Sequence, residues 1–294
     1  MKRWFSYFVA LVAQVAAVAQ NGLSFSELMF QPRTGEPEWV ELYNVSEVPV
    51  QLSAFALARV YGDSVGRLYD LPDYQVAPKS FVVLTKNREA VLAAYEVACA
   101  ECLLQCSQLP SLPNAGASLA LLSADSMIVE RLDYKPSMHN KMLRNTAGVS
   151  IERKSYVRSV AEQSNWTSAS AMVGYATPTG ENSQHEADYE SDFAIRLSSS
   201  IVCPNSDDAD GVVDMVYENR HEGVMATVVV FDRQGRAVKK LVDNALLGTK
   251  GNFVWDGRDD AGIACATGSY IVVFALHDGF AWSKKIKKVV RVRF

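Results

Sequence analysis

Residues 38–57 constrain this chain more than any other stretch. They read Glu38-Trp39-Val40-Glu41-Leu42-Tyr43-Asn44, then Val50-Gln51-Leu52-Ser53-Ala54-Phe55-Ala56-Leu57 after a turn around Pro49. Trp39, Glu41 and Tyr43 fall on one face of an extended segment and Val40 and Leu42 on the other, which is the period-2 pattern of a strand. The residues from Asn44 to Pro49 supply turn chemistry, and Leu52, Phe55 and Leu57 resume the apolar face. A strand-turn-strand unit at this point commits the larger part of the chain to sheet. With 294 residues and 49% hydrophobic content, the chain is long enough for about two domains with cores of their own.

Residues 1–19 read as a signal peptide. Lys2 and Arg3 form a charged start, an apolar run follows from Phe5, and Ala17-Val18-Ala19 makes a small-x-small cleavage site before Gln20. A membrane anchor, which needs about 20 apolar residues, is interrupted by Gln14. The residue directly after the cleavage site is Gln20 rather than cysteine, which argues against a lipoprotein anchor. The expectation is an exported protein: periplasmic, at the outer-membrane surface, or secreted. The formal net charge is −4, and the acidic excess sits in the first two-thirds. A net acidic chain is a poor partner for nucleic acid unless its cations are gathered on one surface.

Two local patterns imitate chemical motifs. Gly62-Asp63-Ser64-Val65-Gly66 matches the nucleophile elbow of serine hydrolases, but that motif requires a strand, a strained turn and then a helix. Here Leu68-Tyr69-Asp70-Leu71-Pro72 follows, and Pro72 favours a hairpin. Asp207, Asp208, Asp210 and Asp214, beside Asn205 and Gly211, gather the hard oxygen ligands that calcium takes, and the middle of the stretch resembles an EF-hand loop. Ser206 and Tyr217 occupy that loop's first and last ligand positions, so a solvated turn is the competing reading. No other cofactor is expected.

Asn87 is placed to cap a helix over residues 88–105. Val91, Tyr95, Cys99, Cys102 and Cys106 would then share its apolar stripe. Three cysteines on one helix face read as small buried hydrophobes, as partial metal ligands, or as a disulfide with awkward geometry. Five cysteines leave at least one thiol unpaired. Trp166 reads as a core anchor. Residues 183–194 turn polar and read as a linker, which divides the chain into a first domain over 20–182 and a second over 195–294.

In the second domain, Ala226-Thr-Val-Val-Val-Phe231, the turn Asp232-Arg-Gln-Gly235 and Arg236-Ala-Val-Lys-Lys-Leu241 predict a β-hairpin with glycine where positive φ is needed. Tyr270, Val272 and Phe274 then fall on one strand face. The closing stretch carries Lys284, Lys285, Lys287, Lys288, Arg291 and Arg293 without one acid among them. One reading makes this the solvated face of a protected edge strand.

The first domain resembles the lamin-tail domains of exported Bacteroidetes-type proteins. The residues that carry the likeness are Glu38 to Asn44, Phe81-Val-Val-Leu-Thr-Lys-Asn87, Leu112-Pro-Asn-Ala-Gly-Ala-Ser-Leu-Ala-Leu-Leu122, Gly148-Val-Ser-Ile-Glu-Arg153, Asn165-Trp166 and Ala176-Thr-Pro178 with Asn182-Ser183. The last 95 or so residues are similar to the immunoglobulin-like domain of flagellar hook-capping proteins, through Phe231-Asp-x-x-Gly-Arg236, Trp255-Asp-Gly257 and Gly268-x-Tyr270. The resemblance implies a mostly β protein of two immunoglobulin-like β-sandwiches, the first with one inserted α-helix. It also implies, as a second reading of the basic tail, an address for the type IX secretion machinery.

His139, His185, His221 and His277 are scattered without triad or metal spacing. The expected function is therefore non-catalytic: an exported binding or structural protein of the cell envelope or surface, whose partner is a protein or carbohydrate there. An exported esterase using Ser64 and a calcium-stabilised adhesion module are the alternatives.

Overall fold

The computed structural model describes residues 22–186, 192–206 and 208–294. The leader-like stretch 1–19 lies outside them, as do Asp207 and the middle of the expected linker. The chain divides into two compact units, Met1–Ala169 with Val173–His185 and Ser170–Met172 with Glu186–Phe294.

In the first unit the strands are β1 (Leu23–Met29), β2 (Trp39–Asn44), β3 (Val50–Gln51), β4 (Phe55–Tyr61), β5 (Ser64–Asp70), β6 (Gln75–Val76), β7 (Phe81–Thr85), β8 (Leu103–Gln105), β9 (Ala117–Ser123), β10 (Ile128–Tyr134), β11 (Ile151–Arg153) and β12 (Trp166–Ser168), with α1 (Arg88–Ala94) between β7 and β8. They form a six-stranded sheet in the order β12-β11-β1-β2-β7-β8, a four-stranded sheet β10-β9-β4-β5 and a short β3-β6 pair. Val40, Leu42, Val82 and Leu84 of the large sheet meet Leu57, Leu119, Leu121 and Leu132 of the smaller one in a common core. Trp166 joins that core as expected, its indole N–H donating to the Val160 carbonyl at 2.9 Å.

The large sheet is buried on both faces. Trp39 and Glu41 are as inaccessible as Val40 and Leu42, because α1 and residues 173–185 cover the outer face. There Met29, Trp39, Val83, Val91, Tyr95, Leu103 and Ala176 form a second apolar cluster.

The helix corrects the sequence reading. Asn87 caps it, its side chain accepting from the Ala90 amide at 3.2 Å, but α1 ends at Ala94. Residues 98 and 99 donate to the Pro178 carbonyl (3.3 Å) and the Thr179 hydroxyl (2.8 Å) instead of to the preceding turn, and Leu103–Gln105 joins the sheet beside β7. Tertiary partners outcompete helix propensity here. The cysteine stripe dissolves accordingly: Cys99 and Cys102 form a disulfide, while Cys106 is buried in the inner core.

The second unit is built from β13 (Phe193–Leu197), β14 (Ile201–Val202), β15 (Val213–Asn219), β16 (Met225–Phe231), β17 (Ala237–Leu246), β18 (Lys250–Trp255), β19 (Gly268–His277) and β20 (Ser283–Val292). A β13-β15-β18 sheet faces a β14-β20-β19-β16-β17 sheet. Phe193, Met215, Tyr217, Phe253 and Trp255 pack against Val228, Val230, Val272, Phe274 and Val290. Gly235 takes φ 79° in the β16–β17 turn, as its position requires. Both units are thus β-sandwiches of immunoglobulin-like type.

Candidate functional site

Ser64 opens β5 directly after the two-residue turn Gly62-Asp63, antiparallel to Tyr61 of β4. It is exposed and followed by strand rather than helix, so the strained turn that would present a nucleophile is not formed. The four histidines engage elsewhere: His139 with Ser168, His185 with Glu181, His221 with Asp192 and His277 with Asn244.

Asp208, Asp210 and Asp214 enter separate hydrogen bonds. Asp208 precedes a single 3-10 turn and Asp210 lies within it, and their main-chain carbonyls accept from Gly211 and Cys203. Asp214 is drawn away on β15, where its carboxylate accepts from Asn252 at 3.0 Å. Among the described residues no group of three His, Cys, Asp or Glu side chains is arranged to hold a metal ion.

The most unusual chemistry lies on the outer face of the large sheet, where sequence reasoning placed no site. The strand register pairs Glu27 with Glu152 on one side and with Glu41 on the other, so three carboxylates stand in one row across β11, β1 and β2. Directly opposed residues on neighbouring strands have Cβ atoms about 5 Å apart, and like charges there repel. All three glutamates are fully buried. Residues 175–184 roof them.

The Thr177 amide donates to Glu27 Oε1 at 3.0 Å, and the Thr177 hydroxyl lies 3.1 Å from Glu27 Oε2 and 2.9 Å from Glu152 Oε1. Ser150 donates to Glu27 Oε1. Thr179 N–H reaches Glu41 Oε2 at 2.7 Å, and the Ser183 hydroxyl and Gln184 amide both reach Glu152 Oε2 at 2.9 Å. Asn182 locks the end of the roof, donating to the carbonyls of Ser26 and Arg153. Residues 182–184, assigned by sequence to the domain edge and linker, are therefore buried parts of the first unit.

Burial, then the neighbouring Glu152 carboxylate, pushes Glu27 up to about 8. Burial and the Glu27 charge hold Glu41 well above the usual carboxylate range, and burial raises Glu152. Among the described residues no ion pair neutralises any of the three. Arg153, the buried neighbour of Glu152 in sequence, is spent on Glu130 (3.3 Å), Ser24 and the carbonyls of Phe25, Ser155 and Arg158. The one legible signal was Glu41 alternating with Trp39 and Tyr43 in a strand that needed burial on that face.

A cavity of about 230 Å³ elsewhere in the unit is walled by Pro37, Trp39, Leu109, Pro110 and Leu112, with Glu38 and Lys86 among its lining. Glu38 accepts from the Leu112 amide at 3.1 Å, and burial raises its pKa. The walls suit a small apolar group.

No protein family profile matches the chain, and no curated protein matches it in sequence. Among solved structures it is similar to dimeric latent PorU of Porphyromonas gingivalis, at 10% identity and a TM-score of 0.27 over 94% of this chain and 21% of that one. PorZ, an essential surface component of the type IX secretion system of the same bacterium, matches at 15% identity and 0.26, over 92% of this chain and 30% of that one. The BSP domain of a biofilm-associated protein matches at 8% and 0.22, over 98% and 54%. The chain spans less than two thirds of each, and likenesses this faint carry nothing about site, partner or activity.

Proposed function

We propose that this chain is a non-catalytic exported protein acting in binding or structural roles at the cell envelope or surface, built from a lamin-tail-like sandwich and a hook-capping-like immunoglobulin module. The observation that carries the reading is the Cys99–Cys102 disulfide, a bond that persists in oxidising compartments outside the cytoplasm. The leader-like residues 1–19 support the same compartment. The exposed hairpin position of Ser64, without a histidine partner, supports a role in binding over hydrolysis.

The basic last strand is proposed as an address for secretion machinery. Deleting it is a poor test, because Val290 and Val292 of β20 belong to the core. Replacing the exposed Lys285, Lys287 and Arg291 by serine keeps the strand and removes the charge. Cell fractionation is expected to recover the parent chain outside the cytoplasm with its disulfide formed, and the triple variant folded in the periplasm without surface display. A reduced, cytoplasmic parent chain would refute export, and an unchanged surface location of the variant would refute the address.

A further inference from the structure

The roof over the glutamate row is held in an unusual way. Tyr175 and Thr179 sit at φ 70° and 63°, a left-handed backbone that costs a non-glycine residue about 1–3 kcal/mol, the more so a β-branched threonine. What holds them there is hydrogen bonding to the three carboxylates, together with Asn182 and the contacts of residues 98 and 99.

Proton counting at Thr177 then becomes decisive. Its hydroxyl has one hydrogen but lies within bonding distance of two carboxyl oxygens, Glu27 Oε2 and Glu152 Oε1. Both contacts are satisfied only when one of those carboxyls itself carries a proton and donates it, giving a chain from carboxyl to hydroxyl to carboxylate. Without that proton, one contact sets two lone pairs against each other, and three buried carboxylates carry like charges side by side. We propose that residues 175–184 form a strap which the Glu27–Glu41–Glu152 row holds closed while it keeps a proton, and which opens when that proton leaves.

The groups facing the row from every packed element fit this assignment. Tyr95 at the end of α1 and Tyr156 after β11 face it as phenols that burial keeps neutral. Arg153 is committed to Glu130, Lys154 is a buried cation two residues beyond Glu152, and Glu181 with His185 closes the exposed end of the strap. Glu36 is engaged by the Tyr95 hydroxyl, which donates to it at 2.8 Å. Burial raises all three glutamates, so the strap is closed at mildly acidic pH and loosens as pH rises.

Amide hydrogen exchange of the full chain between pH 5.5 and 9.5, corrected for intrinsic rates, tests the device. Protection of residues 177–184 is expected to fall at least tenfold across this range while β4 and β9 keep theirs, and Glu27→Gln is expected to flatten the profile. A strap as well protected at pH 9.5 as at 5.5, loss of protection throughout the unit at once, or an unchanged profile in the Gln variant would each overturn the proposal. Restoration by millimolar calcium at high pH would overturn it too, by making the row a cation site. Should Glu27→Gln not fold, Thr177→Val removes the shared hydroxyl. It must then lower strap protection at pH 6 and leave β9 unchanged, and equal protection in that variant would count against the strap.

Discussion

The large sheet of the first unit and the five-stranded sheet of the second make opposite use of the same alternating strands. In β19, buried Tyr270, Val272, Phe274 and Leu276 alternate with more accessible Ile271, Val273, Ala275 and His277, and the outward residues meet solvent at no cost. In β1 every residue is buried, so each polar group on the outer face must find a partner inside the protein. One sheet tolerates charge freely and the other admits it only with a network. Polar substitutions should therefore be cheap on the outer face of the second unit and expensive in the first.

The largest effect should come from Arg153→Met. Its guanidinium and Glu130 are 1% and 5% exposed, and breaking a buried pair from one side typically costs about 3–5 kcal/mol. Arg196, 76% exposed beside Glu218 in the second unit, is the control. Its replacement by alanine should leave the melting curve unmoved, and equal losses at the two sites would break the contrast.

Next comes pH. Burial holds His139 down to about 4, so between the usual value near 6.5 and 4 the unfolded chain takes up a proton that the folded unit refuses. Stability is lost as pH falls through that window, by up to about 3 kcal/mol. Glu27 acts in the other direction: its folded value near 8 exceeds the usual 4.5, so stability is lost as pH rises from about 4.5 towards 8. Calorimetry should find the first unit's transition falling between pH 6.5 and 8 and Glu27→Gln reducing that slope, while the second unit stays level.

Reducing the disulfide should cost the first unit about 2 kcal/mol, the chain-entropy value for so short a loop. It should leave the second unit alone. A thermal scan with and without reductant, on the parent chain and on Cys99→Ser/Cys102→Ser, separates the bond from side reactions at the three free thiols. The smallest effect belongs to Ser64→Ala on the exposed hairpin. It should change neither stability nor labelling by a fluorophosphonate, which is expected to be absent in both proteins; labelling of Ser64 would overturn the non-catalytic reading.

Much of this architecture was legible locally. The alternation around Trp39 and Tyr270, the turn glycine Gly235 and the core position of Trp166 all follow from side-chain period and turn chemistry, which act within a few residues. The end of α1 was not legible. The partners that stop it, Pro178 and Thr179, lie some eighty residues downstream, and no local signal announces a competitor at that distance.

The glutamate row shows the same division. Alternation placed Glu41 opposite Val40, but only strand register brought Glu27 and Glu152 beside it, and only the returning chain buried all three. By itself the sequence determined that this protein is built of strands and where most of them turn. The tertiary structure decided which faces lose their water, because burial of a sheet's second face depends on what the distant chain brings to cover it.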